Sequence, residues 1–131
     1  MKNLLVLLLA LLLPVAAAAH GMTEAKKIDA LIMTVERLPG AVFIRNGSEY
    51  NGKKAAEHLR KKWHYAGKRV KTAEDFIHYC ASVSSMSGTK YQIRFANGRT
   101  VDSGQFFHEQ LRLIEARDNQ AGATAAIATA H

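Results

Sequence analysis

Ser87-Gly88-Thr89-Lys90 satisfies S-x-x-K, the pattern in which a lysine activates a serine oxygen for attack on a carbonyl carbon. In enzymes that use it, the pattern opens a helix, which sets serine and lysine one turn apart on a shared face. Here the stretch "SVSSMSGTKY", Ser82 to Tyr91, follows a helical apolar stripe and leads into an alternating segment. Residues three apart on a strand point to opposite faces, so Lys90 is not placed to serve Ser87. The hydroxyls suit a different task, bonding the carbonyls that the last turn of a helix leaves free. The stretch therefore reads as the way a helix ends and a strand begins. No residue is assigned a catalytic role, and the enzymatic alternative is a hydrolase using Ser85 or Ser87 with a histidine brought near by folding.

"FIRNG" places Arg45 and Asn46 at the end of a short strand. A guanidinium there can grip a carboxylate or phosphate bidentately, or pair with Glu49 or another acid. If this strand pairs with Tyr91–Phe95, its turn lies close to the serine loop. Arg45, Asn46, Ser85 and Ser87 then form a candidate polar pocket. The six histidines give no metal spacing: His58 and His64 are six apart, and His78 lies two residues from Cys80 on a different helical face. No metal site and no cofactor are expected in the folded domain.

From Lys53 to Lys71 there are eight lysines and arginines against one acid, Glu57. On a helix, Lys53, Lys54, Arg60 and Lys61 fall on the side away from Ala56, Leu59 and Trp63. This is either a solvated outer face or a surface for an anionic partner.

The N-terminus decides which partners are reachable. Met1-Lys2-Asn3 is a positive head, Leu4–Leu13 an unbroken apolar run, and Val15-Ala16-Ala17-Ala18-Ala19 a small-residue exit. That order is a secretory signal peptide. The apolar stretch from Leu4 to Ala19 is shorter than the roughly 20 residues a membrane-spanning helix needs, and no later run is long enough to span a bilayer. Cleavage after Ala19 is expected; cleavage after Ala17 would leave Ala18-Ala19-His20, a copper(II)-chelating end. The formal net charge of +7 falls to +6 when Lys2 leaves with the leader. For an exported chain, a basic face points to anionic envelope components and not to nucleic acid. The single cysteine, Cys80, allows no intramolecular disulfide, and its place in a helical stripe marks it as a buried thiol.

These features must be carried by the elements between. Thr23 caps a helix over Glu24–Leu38, with Ile28, Leu31, Ile32 and Val35 on one face, and Pro39-Gly40 stops it. A strand follows over Ala41–Arg45, then a turn at Asn46-Gly47 and a second helix from Asn51 to Tyr65. Thr72 opens a third helix, with Asp75 at the capping-box position and a stripe of Phe76, Ile77, Cys80 and Val83. Tyr91–Phe95, Asn97-Gly98 and Arg99–Val101 read as a hairpin. Ser103 caps a last helix carrying Phe107, Leu111 and Ile114. The expected fold is α+β, with about four helices packed on a small antiparallel sheet of two or three strands. The expected organisation is a signal peptide at 1–19, one domain at 20–115, and a disordered or frayed tail at 116–131.

"FIRNG", "AEHLRKK" (Ala56–Lys62), "TAEDFI" (Thr72–Ile77) and "ASVSSMSGTKY" (Ala81–Tyr91) occur in the order and spacing of the YfeK-like proteins, short exported bacterial proteins of uncharacterised function. The resemblance spans Ile28 to Leu113. It implies a periplasmic or otherwise extracytoplasmic (secreted) location and a single folded unit, and it transfers no catalytic or ligand residue. Some members carry a cysteine shortly after "RNG"; this chain has none there, so Cys80 lacks that partner. Together these readings point to a small non-enzymatic protein that binds an envelope partner or an anionic envelope component. A structural or assembly factor of the envelope is the remaining alternative.

Overall fold

The computed structural model describes residues 21–130. The expected signal peptide and His20 lie outside the described residues. Thr23 caps α1 (Glu24–Glu36) as expected, its hydroxyl accepting the Lys26 N–H at 3.2 Å. Ile28, Leu31, Ile32 and Val35 are buried along one face.

The sheet holds more strands than the two or three expected. β1 (Val42–Arg45) turns at Asn46-Gly47 into β2 (Ser48–Tyr50), and both turn residues have positive φ, 50° and 78°. That pair of left-handed residues is the signature of a two-residue hairpin turn that matches strand twist. β2 escaped the sequence reading because Ser-Glu-Tyr has no β-branched residue and runs straight into a helix cap. β3 (Gln92–Arg94) and β4 (Thr100–Asp102) form the expected second hairpin, and the order β2-β1-β3-β4 is antiparallel throughout.

Between the hairpins, Asn51 caps α2 (Gly52–Ala66) by accepting the Lys54 N–H at 2.9 Å. A short 3-10 turn at Gly67–Arg69 follows. α3 (Ala73–Phe76) then widens into a π-helical turn, Ile77–Ala81. The Ser82 hydroxyl donates to the Ile77 carbonyl at 2.6 Å, capping a carbonyl of that wide turn. Val83 is therefore not part of the helical stripe; it forms a β-bridge with Lys90. Cys80 is fully buried as expected, and burial raises its thiol pKa, which keeps it protonated and unreactive.

Asp102, and not Ser103, holds the N-cap position of α4 (Ser103–Thr129), without a side-chain cap hydrogen bond, and Ser103 is the helix's buried first residue. The helix also continues through the segment from Ala116 that was expected to fray. Alanine is the least costly residue to hold in a helix, and the Asp118 carboxylate accepts the Met22 N–H at 2.9 Å, tying this stretch to the start of α1. Among the described residues, no helix is long and apolar enough to cross a membrane.

α2 and α4 lie on one face of the sheet, and α1 and α3 pack behind them. Phe43 and Ile93 pair across β1 and β3 and face these helices, buried. The aromatic rings form a chain through the interior: Trp63 to Phe76 at 6.2 Å, Phe76 to Phe107 at 6.3 Å, and Phe107 to Phe106 at 5.6 Å between centroids. Ile44, Glu49, Gln92 and Asp102 align in register on the opposite face.

The start of α3 carries the full capping box, Thr72 accepting the Asp75 N–H at 3.0 Å and Asp75 accepting the Thr72 N–H at 3.1 Å. Hydrogen bonds from the Lys71 N–H, then from Thr72, hold the Asp75 carboxyl below its ordinary pKa. A group depressed in the folded state stabilises above its unfolded pKa, and loses that contribution as pH falls through the folded one. Thr72→Ala is expected to cost about 1 kcal/mol at neutral pH. Asp75→Asn is expected to flatten the acid side of the stability profile, and urea denaturation across a pH series measures both.

Candidate functional site

The serine loop is built by backbone pairing. The Ser84 N–H donates to the Thr89 carbonyl and the Gly88 N–H to the Ser84 carbonyl, both at 2.9 Å. The residue that organises it is Ser84, 2% exposed, which the sequence reading did not single out. Its hydroxyl oxygen accepts from the Met86 N–H at 3.3 Å, the Ser87 N–H at 3.4 Å and the Asn46 amide at 3.2 Å. Ser87 donates to the Asn46 side-chain oxygen at 2.7 Å. The β1–β2 turn and the serine loop are thus joined, as expected if β1 pairs with the segment after the loop. Ser85 is exposed and makes no side-chain hydrogen bond among the described residues. Lys90 reaches Asp102 at 3.4 Å, not Ser87. The hydroxyls shape backbone here, and no histidine hydrogen-bonds to a serine among the described residues.

Arg45 does not join the Asn46–Ser84–Ser87 cluster. The register Ile44↔Glu49 and Arg45↔Ser48 sets Arg45 and Glu49 on opposite faces of the sheet. Glu49 instead pairs with Arg94 at 2.8 Å. Arg45 turns toward α2 and lines a partly open cavity of about 50 Å³ with Phe43, Tyr50, His58, Leu59, Ser103 and Phe107. Among the described residues Arg45 has no acidic partner. His58 stands edge-on to Tyr50 at 5.0 Å, and its imidazole pKa is lowered, first by burial and next by the Arg45 charge. At neutral pH the cavity therefore holds one fixed positive charge and one neutral imidazole. His58 is the participant that its spacing did not betray: it lies on the α2 turn beside Leu59, within a run dominated by lysine.

The basic residues of α2 divide by neighbour. Lys53, Lys54, Arg60 and Lys61 are all exposed, on the side away from Ala56 and Leu59. Lys54 pairs with Glu57 at 3.2 Å and Arg60 with Glu36 at 3.0 Å, while Lys53 and Lys61 have no ion pair among the described residues. Lys62 turns inward and donates to the Val83 carbonyl at 3.2 Å and the Tyr91 hydroxyl at 2.9 Å. It ties α2 to the base of the serine loop. No cluster of three or more His, Cys, Asp or Glu side chains able to hold a metal is found among the described residues.

Fold and site together define a small α+β domain with a half-open, one-cation cavity between sheet and helices. Residues 22–115 match the model of a family described as "Family of unknown function (DUF5329)", and the chain belongs to that family. It is 36% identical over 92 residues to the uncharacterised protein YfeK of Salmonella typhimurium, covering 70% of this chain and 77% of that one. No solved structure matches.

Proposed function

We propose that the protein is an exported, non-enzymatic binding module that holds an anionic group of an envelope component or partner at Arg45. The observation that carries this reading is a half-buried guanidinium lining a largely apolar cavity, with its nearest sequence candidate for a partner, Glu49, turned to the other face. An arginine so placed retains five donors in a fork matched to a carboxylate or phosphate. The exposed cations of α2, Lys53 and Lys61 among them, add a positive field that draws anions toward the same end of the domain. The leader pattern supports export, and the periplasm is the compartment this reading assigns.

The test is photo-crosslinking in intact cells from a probe at Ser48, the exposed cross-strand neighbour of Arg45. A discrete adduct is expected with the native chain and is expected to disappear with Arg45→Met. Mass spectrometry of the same material is expected to report a chain beginning at His20. An adduct indifferent to Arg45→Met, or a chain retained in the cytosol with Met1 in place, removes the proposal.

A further inference from the structure

The cavity at Arg45 carries more information than the sign of its ligand. Its walls are apolar: Phe43, Leu59 and Phe107 close it from the sheet, α2 and α4. Most of its polar side chains are uncommitted. Arg45, His58 and Ser103 make no side-chain hydrogen bond among the described residues, although Ser103 is only 4% exposed. No enclosed side-chain polar atom lacks a partner among the described residues, so the Ser103 hydroxyl keeps some exposure, and its residue lines the cavity. A buried hydroxyl and a guanidinium converging on an apolar space form a polar head and a greasy base.

Charge and size narrow the ligand. One fixed cation beside a neutral imidazole balances one negative charge; a phosphate dianion would bring a second, uncompensated charge against apolar walls. A cavity of about 50 Å³ compares with the roughly 10–15 Å³ one water needs. That is room for about three or four water-sized groups, enough for a carboxylate and one or two carbons.

Resting on the anion-binding reading above, we propose that this cavity binds a carboxylate monoanion carrying a small apolar substituent. The carboxylate sits on the Arg45 guanidinium beside Ser103 and His58, and the substituent lies against Phe43, Leu59 and Phe107. A short free acid and a chain terminus ending in a small residue share this chemistry. Binding is coupled to His58. The charged and titratable groups around it are Arg45 from β1, Tyr50 from β2, Tyr91 just before β3, and Lys54, Glu57 and Lys61 from α2, while α4 contributes only Ser103 and Phe107. A bound anion favours the protonated imidazole, so it raises the His58 pKa, and by linkage affinity rises as pH falls through that range.

The purified protein is titrated by NMR with propionate, N-acetylalanine and inorganic phosphate, following the Phe107 and Leu59 resonances and the His58 titration. Saturable shifts with either carboxylate, together with an upward move of the His58 pKa, are expected. Arg45→Met is expected to weaken binding about 10–100-fold, the loss of one or two charge-assisted hydrogen bonds, with an otherwise unchanged spectrum as the folding control. Tighter binding of propionate identifies a free acid, and tighter binding of N-acetylalanine a chain terminus; both support the proposal. Arg45-dependent binding of phosphate but of neither carboxylate overturns the ligand class and leaves the anion site standing. If no anion produces Arg45-dependent shifts, both fall.

Discussion

Phe76→Ala is expected to cost about 3–5 kcal/mol, the range for removing a fully buried aromatic ring. Phe76 is 0% exposed and touches Trp63 of α2 and Phe107 of α4 edge-on, so its ring joins three helices at one point. It also ends the α-helical part of α3, immediately before the backbone widens into the π turn. Removing the ring leaves a space that cannot collapse without moving α2 and α4 together. A domain of this size has about 5–15 kcal/mol in total, so the variant should lie close to its unfolding threshold at growth temperature. Urea denaturation measures the cost directly. Phe76→Leu should cost less, and a Phe76→Leu, Phe107→Leu double-mutant cycle should show a coupling of about 0.5–1.5 kcal/mol from the edge-to-face pair. A cost below 1 kcal/mol for the alanine variant would mean that these rings do not hold the helices together. Because Phe107 also lines the cavity, the same cycle reports whether core packing sets the cavity's shape.

The fold is legible in the sequence where one residue type has one physical job. Thr23 and Thr72 before acidic first turns, the apolar stripe of α1 and the Asn97-Gly98 hairpin were all legible, because capping, helical period and turn chemistry are local. Cys80 was legible as a buried thiol for the same reason. What was not legible depended on partners distant in sequence. β2 is a strand only because β1 offers it an edge, and Ser48-Glu49-Tyr50 has little strand character of its own. Ser84 resembles its three serine neighbours in sequence, and only burial in the fold separates it from the exposed Ser85 and Ser87, the latter of which also bonds Asn46. Arg45 stands out in the sequence, but its neighbours do not: the strand alternation that sends Glu49 to the far face also turns Arg45 away from the serine loop and toward His58. The tail is poor in large aliphatic residues, yet its alanines need none to continue a helix already begun.

Gly52→Ala sets two local effects against each other, and the contact geometry decides the outcome. Alanine is the better helix former by about 1 kcal/mol in a helix interior, and less at a first turn, so propensity alone predicts a more stable α2. Yet a Cβ at Gly52 would stand 2.6 Å from the Val35 carbonyl oxygen and 3.1 Å from that of Glu36. Both are backbone atoms at the end of α1, fixed by the helix behind them, and neither can swing aside as a side-chain tip would. The positive end of α2 rests against the negative end of α1 at this point, and the approach is close only because residue 52 lacks a side chain. Overpacking against backbone costs about 1–3 kcal/mol, which exceeds the propensity term, so Gly52→Ala should be net destabilising. The helices should part locally, stretching the Arg60–Glu36 pair now at 3.0 Å and shifting Ala55 and His58 at the cavity wall. Urea denaturation should show the lost stability, and NMR should show shifts running from Val35 through His58, with weaker carboxylate binding. A stabilised Gly52→Ala protein would instead mean that α1 and α2 slide apart without cost, and that the cavity is shaped by the sheet alone.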